Sequence, residues 1–488
     1  LIKGYDMASI EVDWLVGRPG ETEQRGARIR TNQERIESIE PAPQSGKALI
    51  ALPGLSNAHD HARAFRSTAF GAFDKPLESW LFYLGVVPGI DPYLTAATSL
   101  ARSAMRGAGR VMVHYTRQQG LTDPLTEAQA VARAARTVGT HVGFAVAMRD
   151  RQPLAYAASE QVLPQLPAAI REVVGKRLAG PLPPAKAQLE LADAIAQACH
   201  GEGFNVQYGP NGVQWCTDEM LGLIAEASAL KKRQVHMHLL ETRYQREWAD
   251  RAYPQGIVQH LKTIGLLSPR LTLAHCAWAR PEELDLIAES GAIIAVNTSS
   301  NLALRSGVAP LAEMIKRGCK VAMGLDGSAF DEDDDALREM RLAYHLHKGW
   351  GYEVAVSPAQ GYALAARHGR QAVSGITDSG TIAAGEVADL LLLDGHALMD
   401  DRLFDDVPVL DFVLGRASAA HVRQVMVGGK TIVDNGTATG INYPEMMHEA
   451  LAQLKAKIDP TDTWRSTVQS LDGAMKPFYL QARHLGCG

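Results

Sequence analysis

Basic residues are the first thing this chain is short of. Lysine and arginine number 49 against 54 acids, and no dense Lys/Arg run occurs anywhere in the 488 residues. A net charge of −5 offers no field for collecting phosphates, so nucleic acid is not expected as a partner. Cysteine is also scarce. Cys199, Cys216, Cys276, Cys319 and Cys487 are an odd five, widely scattered and without a CxxC pair. That excludes a disulfide scaffold and fits a reducing cytoplasm. No apolar run reaches the roughly 18 residues of a membrane span, and no basic start leads into an apolar core with a small-residue cleavage site. A soluble protein without a membrane partner is therefore expected, although the first residue is Leu1 and not Met.

Three motifs are missing as well. No GxGxxG turn follows the first predicted strand, which argues against an open nucleotide-binding sheet. The chain has no PCxxC, which excludes the compact zinc deaminases. His448-Glu449 has no second histidine four residues after the first, which excludes a zinc protease of that type. Internal repeats and low-complexity tracts are absent too. The 46% hydrophobic and 21% charged residues are those of a folded globular protein, and glycine and proline are near average usage.

What is present is a rhythm. Short apolar, β-branched runs lie at 52–58, 111–115, 142–147, 205–209, 234–239, 271–275, 292–297 and 320–325. Between them are amphipathic segments such as 219–230, 281–290, 310–317 and 336–347, with apolar residues every three or four positions. Strand then helix, eight times, predicts an α/β fold, a (β/α)8 TIM barrel over 53–379. Residues 1–52 and 380–440 alternate in short Gly-punctuated strands and are expected to form one small β-sandwich from both chain ends. Residues 441–488 turn helical and polar, broken at Pro460 and Pro477, and read as a surface cap or an oligomer contact. The acidic run from Asp331 to Asp335 is placed to favour the N-terminus of the helix starting near Ala336.

Barrel enzymes carry their chemistry at the C-terminal ends of the strands. The first strand here ends in His59-Asp60-His61, two histidines that project the same way from an extended chain and can chelate one ion. The fifth ends in His236-Met-His238 with Glu241 close behind, the sixth in His275, and the eighth in Asp326 followed by Gly327 and Ser328. A histidine satisfied by a carbonyl, or an acid capping a helix, explains any one of these. Four strand ends presenting them together point to one divalent ion per chain. Zn2+ is the default on donor type, and Fe2+ suits the same N/O set.

These residues resemble the amidohydrolase superfamily, specifically its mononuclear branch of nucleobase, pterin and adenosine-type deaminases and triazine hydrolases. The resemblance runs from PGLSNAHDH at 53–61 through AHCAW at 274–278, TSSNLAL at 298–304 and GLDG at 324–327 to GEVADL at 385–390. It implies metal ligands His59, His61, His238 and Asp326, with His238 chosen over His236 because it stands three residues before Glu241. It further implies Glu241 as proton shuttle, His275 beside the attacked carbon, Asp326 as base, and a homo-oligomer. His236 is left as an inward-facing histidine one layer lower.

The chemistry of these groups agrees with that implication. Coordination lowers the pKa of water from about 15.7 to about 7, Asp326 can take its proton, and Glu241 can protonate a ring nitrogen and then the leaving amine. The expected reaction is hydrolytic deamination of a nitrogen heterocycle of purine, pterin, pyrimidine or triazine type. The alternatives are loss of another leaving group from the same site (cyclic amide, N-alkylamine or halide) and a non-catalytic binding protein on the same scaffold. Substrate contacts are expected from Arg63 and Trp80 after the first strand, His114 at the end of the second, and Asn211 and Gln214 after the fourth. Phe65, Arg66 and Trp215 occupy the same loops, and Trp278 follows the sixth strand. Guanine-type relatives carry glutamine where this chain has Ala64, and adenosine-type relatives carry histidine where it has Asn211, so no substrate name follows.

Overall fold

The computed structural model describes residues 8–154, 156–327, 332–377 and 379–485. Eight parallel strands form one sheet in chain order, Leu55–Asp60, Ala108–Tyr115, His141–Met148, Phe204–Pro210, Val235–Leu239, Leu271–His275, Ile293–Val296 and Lys320–Met323. Most are buried on both faces, and their near-continuous apolar sequence is what a sheet covered by helices requires. Helices fill the connections, including Asp218–Lys231, Pro281–Ser290, Leu311–Lys316 and Ala336–His347, each at the expected place. Pro281 opens one helix and Gly291, at φ 71°, closes it in the left-handed conformation that glycine adopts without strain. Asp335 caps the Ala336–His347 helix by accepting from the Arg338 amide, while Ser328 and Asp331 lie outside the described residues.

The sheet closes where it matters for chemistry. The amides of Leu325 and Asp326 both donate to the His59 carbonyl, at 3.2 and 2.8 Å, and tie the end of the eighth strand to the first. Asp326 is left-handed, at φ 58°, as is His275, at φ 77°. A non-glycine side chain costs about 1 kcal/mol or more there, and the closing bond at Asp326 is one constraint that holds it in place.

The expected first strand, 52–58, is divided in two. Leu49–Pro53 belongs to a second sheet, and the barrel begins at Leu55. Gly54 makes the handover: its amide donates to the Asp389 carbonyl at 3.0 Å, and a Cβ there would lie 3.1 Å from that residue's backbone. Hydrophobicity alone runs straight through this junction. The second sheet has eight strands from both chain ends, in the spatial order Thr437–Ala438, Lys430–Asp434, Val422–Val427, Leu390–Asp394, Leu49–Pro53, Ala8–Leu15, Gln24–Asn32 and Arg35–Pro41. Asp389 joins it to the barrel through the buried Arg110 and Arg370, which lie on its carboxylate.

The C-terminal stretch folds back over the mouth of the barrel. Pro460 falls between the helices Tyr443–Lys457 and Trp464–Leu480, but Pro477 does not break the second one. Its missing amide costs one hydrogen bond only three residues from the helix end, where termination was near in any case. Trp464, Val468, Leu471, Met475 and Phe478 recur on one face and pack with Leu77, Trp80, Tyr83, Ile170 and Val174 into a hydrophobic core separate from that of the barrel. No helix among the described residues is long and apolar enough to cross a membrane.

Candidate metal centre

The site grows from the way each imidazole is held from behind. His61 Nδ1 lies 2.6 Å from the His114 carbonyl and His238 Nδ1 2.6 Å from the Asn211 carbonyl. A carbonyl only accepts, so both rings carry their proton on Nδ1 and turn a lone pair on Nε2 toward the cavity. Those two Nε2 atoms are 3.5 Å apart. His59 Nδ1 is 2.7 Å from His236 Nε2, and His59 Nε2 is buried without a hydrogen-bond partner. Asp326 Oδ1 stands 3.0 Å from His61 Nε2 and 3.4 Å from His59 Nε2.

Lone pairs converging this closely repel unless a cation lies among them. Burial also holds His59, His61 and His238 below the ordinary imidazole range, so protonation is not the remedy. The donor atoms of His59, His61 and Asp326 lie within 4.8 Å of one another, as do those of His59, His238 and His275. Three neutral imidazoles and a carboxylate, each braced on its far side, are a set that fits a divalent ion.

Opposite these groups stand two more. Burial pushes the Glu241 carboxyl up to about 7, against the opposing pull of His275. Its Oε1 accepts from Ser306 Oγ at 3.1 Å, and its Oε2 is 3.5 Å from His275 Nε2. Burial acts on Asp326 in the same sense, but the closeness of the His59 and His61 imidazoles reverses it and keeps that carboxylate well below its usual range. Asp326 Oδ2 accepts from Ser300 Oγ at 2.6 Å, and Asn301 and Asn297 bracket His275 Nδ1 at 2.9 and 3.1 Å. Ser300 and Asn301 stand in the TSSNLAL stretch, which the sequence reading used as a signature without giving either residue a role.

A cavity of about 420 Å³ opens from these groups toward the helical cap. Arg63, Trp80, Asn211 and Gln214 line it, as expected. Trp80 is nevertheless 2% exposed and donates to Ser67 Oγ, and the Arg63 guanidinium lies 4.7 Å over its ring. His114 does not line it. The ring is fully buried, its Nε2 bonded to the Gly209 carbonyl at 3.0 Å and its face stacked on His238 at 4.8 Å. The expectation of a substrate contact is corrected here: His114 faces inward one layer down, and its useful group is the carbonyl that holds His61. Sequence reasoning also missed Glu78, Arg117 and Arg177 and the cap residues Trp464, Leu471 and Tyr479, all of which line the cavity. No local signal marks them, because the cap reaches the site only through the tertiary fold.

Comparison with known proteins agrees with this geometry. The chain is 28% identical over 444 residues to a 5-methylthioadenosine/S-adenosylhomocysteine deaminase of Moorella thermoacetica, covering 87% of this chain and 94% of that one. Its fold matches that of a zinc-bound adenosine deaminase from Xanthomonas campestris, with TM-score 0.71 and 21% identity over 95% of this chain and 98% of the other. It also matches an atrazine chlorohydrolase from Arthrobacter aurescens TC1 complexed with zinc, with TM-score 0.73 and 20% identity over 91% and 99% of the two chains. The Amidohydrolase family model matches residues 50–432, most of the chain and both ends of the barrel. With the strand-end histidines, Asp326 and the barrel that carries them, that match places the protein in the amidohydrolase family.

Proposed function

We propose that this protein hydrolytically deaminates an aminated nitrogen heterocycle, using one divalent ion per chain, zinc by default, held by His59, His61, His238 and Asp326. The observation that carries the proposal is the pairing of opposite carboxyl states across one cavity. Asp326 is held ionised beside the imidazoles, and Glu241 is held near neutrality facing them. Two carboxyl groups driven apart by their surroundings are suited to acting as base and acid in one turnover.

A divalent ion in this set supplies Lewis acidity, which makes water acidic enough to yield hydroxide near neutral pH. The protein's own groups do the rest. Asp326 accepts the proton of the attacking water on Oδ1 while Ser300 steadies Oδ2. Glu241 donates its proton to a ring nitrogen as the sp² carbon becomes tetrahedral, recovers one from the new hydroxyl group as that becomes a carbonyl, and passes it to the departing amine; the water proton held by Asp326 then restores Glu241. His275, aimed by Asn297 and Asn301, places Nε2 beside the reacting carbon. Arg63 donates from Nη1 to the Asp326 carbonyl at 3.0 Å and fixes the strained turn that carries the base.

The relatives' printed names set the first rings to try. An ammonia-release screen over adenosine derivatives, other purines, pterins, pyrimidines and triazines is expected to give a turnover signal. Silence across all of them, with release of chloride or an alkylamine from a triazine, would replace deamination by the alternative displacement. The four described cysteines are free and buried, in keeping with the reducing cytoplasm that belongs to this proposal, as does the homo-oligomer.

A further inference from the structure

Glu241 stands on a turn that the barrel does not hold alone. Leu240, just before it, is left-handed at φ 50°. That conformation costs a non-glycine residue about 1 kcal/mol or more and persists only where neighbours impose it. Part of the constraint is local. The Glu241 amide donates to Gln245 Oε1 at 2.8 Å, and Thr242 Oγ1 accepts from the Gln245 amide at 3.2 Å, capping the helix Arg243–Ala252. The hydroxyl proton of Thr242 is not used in this cap. It goes to Glu78 Oε1, 2.6 Å away.

Glu78 belongs to a different layer of the molecule. It lies on the helix Leu77–Tyr83, whose Leu77, Trp80 and Tyr83 are part of the core under the cap. Its neighbour Ser79 donates to Asp472 Oδ1 of the C-terminal helix at 2.6 Å, and Lys75 donates to the other oxygen of that carboxylate at 2.7 Å. Glu78 is 6% exposed and lines the cavity, yet it forms no ion pair among the described residues, whereas the similarly buried Asp334 and Glu283 each face an arginine. Its partners are hydroxyls. Besides Thr242, Tyr156 donates to the same Oε1 at 3.0 Å and lies 3.2 Å from Thr242 Oγ1. Burial pushes that phenol well above its ordinary range and keeps it a donor. A carboxyl buried without a counter-charge is costly. What it supplies here is one acceptor that joins the Leu77–Tyr83 helix, the loop carrying Tyr156 and the turn carrying Glu241.

We infer that Glu78 is a positioning residue for Glu241: through Thr242 it fixes the turn that carries the acid, and it ties that turn to the helix on which the C-terminal cap rests. The inference rests on the reading of Glu241 as the acid of a deamination and deepens it by placing part of the control of proton transfer outside the barrel.

The test uses the zinc-loaded full chain with Glu78→Leu, Glu78→Gln, Thr242→Val and the double variant of Glu78→Leu with Thr242→Val. Ammonia release from adenosine gives kcat and KM, and amide hydrogen exchange over residues 239–245 reports the turn without any substrate. Glu78→Leu is expected to lower kcat about 10- to 100-fold with KM changed by less than about twofold, and to quicken exchange at Glu241 about tenfold. Glu78→Gln, whose amide oxygen still accepts from both hydroxyls, should recover most of both. In the Thr242→Val background Glu78→Leu should lower kcat by no more than about a further twofold, because the link is already cut. A full loss in that background, a loss confined to KM, or wild-type kcat and exchange in Glu78→Leu overturns the inference. The result confined to KM would make Glu78 a substrate contact instead. If Glu78→Leu does not fold, Thr242→Val carries the same reading, and wild-type kcat and exchange in that variant overturn it equally. Exchange at Glu241 that quickens in Glu78→Leu and recovers in Glu78→Gln, with no ammonia from adenosine or any other ring, keeps the hold of Glu78 on the turn and overturns the deaminase reading. Ammonia release that is alike in all variants does the reverse.

Discussion

His236 Nε2 lies 2.7 Å from Nδ1 of His59, and this contact decides which nitrogen His59 turns toward the cavity. Burial keeps His236 neutral, its imidazole held down at about 3, so it can accept the Nδ1 proton of His59 and leave the Nε2 lone pair free. His236→Phe, which keeps the ring volume and removes the acceptor, is expected to weaken zinc binding about 10- to 100-fold. His236→Gln should recover part of the loss. Competition against a chromogenic chelator reads both, and unchanged affinity in the Phe variant would show that the contact is only packing.

Chelation should abolish activity and added zinc restore it, with close to one ion per chain by elemental analysis. Iron in place of zinc would change the ion but not the ligand set. Asp326→Asn is expected to lower kcat by about 10² to 10⁴ while circular dichroism stays unchanged. Retained turnover would remove Asp326 from the role of base.

Glu241 should leave its mark on the pH profile. Its carboxyl, raised to about 7 by burial, is the neutral acid below that pH and ionised above it. Turnover by the wild type is therefore expected to fall as pH rises through about 7. Glu241→Gln should lose about 10² or more in kcat and lose that limb as well. A limb that survives the substitution would belong to another group.

A pH-dependent stability effect is expected at Glu339, which is buried beneath the site and accepts from the Ser299 amide at 3.1 Å. Burial raises its carboxyl from 4.5 to about 7. A folded-state pKa above the unfolded value gives stability that is full at low pH and is lost as pH rises through the folded value. Glu339→Gln keeps the acceptor and removes the charge. It should raise Tm at pH 8, by up to about 3 kcal/mol of stability, with the gap narrowing toward pH 5. Identical Tm differences at both pH values would contradict this.

Leu471 is fully buried between the cap and the cavity. Leu471→Ala should cost the cap about 2 to 5 kcal/mol and raise KM more than it lowers kcat, because the catalytic groups stand on the barrel. Hydrogen exchange should quicken over Trp464–Leu480 and not in the barrel strands. Uniform quickening would mean that the cap and barrel unfold as one unit.

Much of the barrel was legible because its signals are local. Pro281–Ser290 and Ala336–His347 match their expected spans, and the strand ends fall at His61, His238, His275 and Asp326 or within three residues of them. Apolar periodicity, a proline at a helix start and a glycine at a helix end all act within a few residues. The division of the first strand at Gly54 was not legible, because a strand's sheet is chosen by its partners, here Ala8–Leu15 and Leu390–Asp394. His114 was misplaced because alternation along a strand tells which face a side chain takes but not which layer of the barrel it enters.

The sequence by itself determined that histidines and carboxylates stand at successive strand ends, since the period of the pattern and the residue types are both local. Only the tertiary structure decided that carbonyls of His114 and Asn211 point Nε2 of His61 and His238 inward, that the imidazoles of His59 and His61 divide Asp326 from Glu241 in charge, and that a C-terminal helix brings Trp464 against Arg177. Orientation, desolvation and long-range closure depend on neighbours distant in the chain, and no local pattern encodes them.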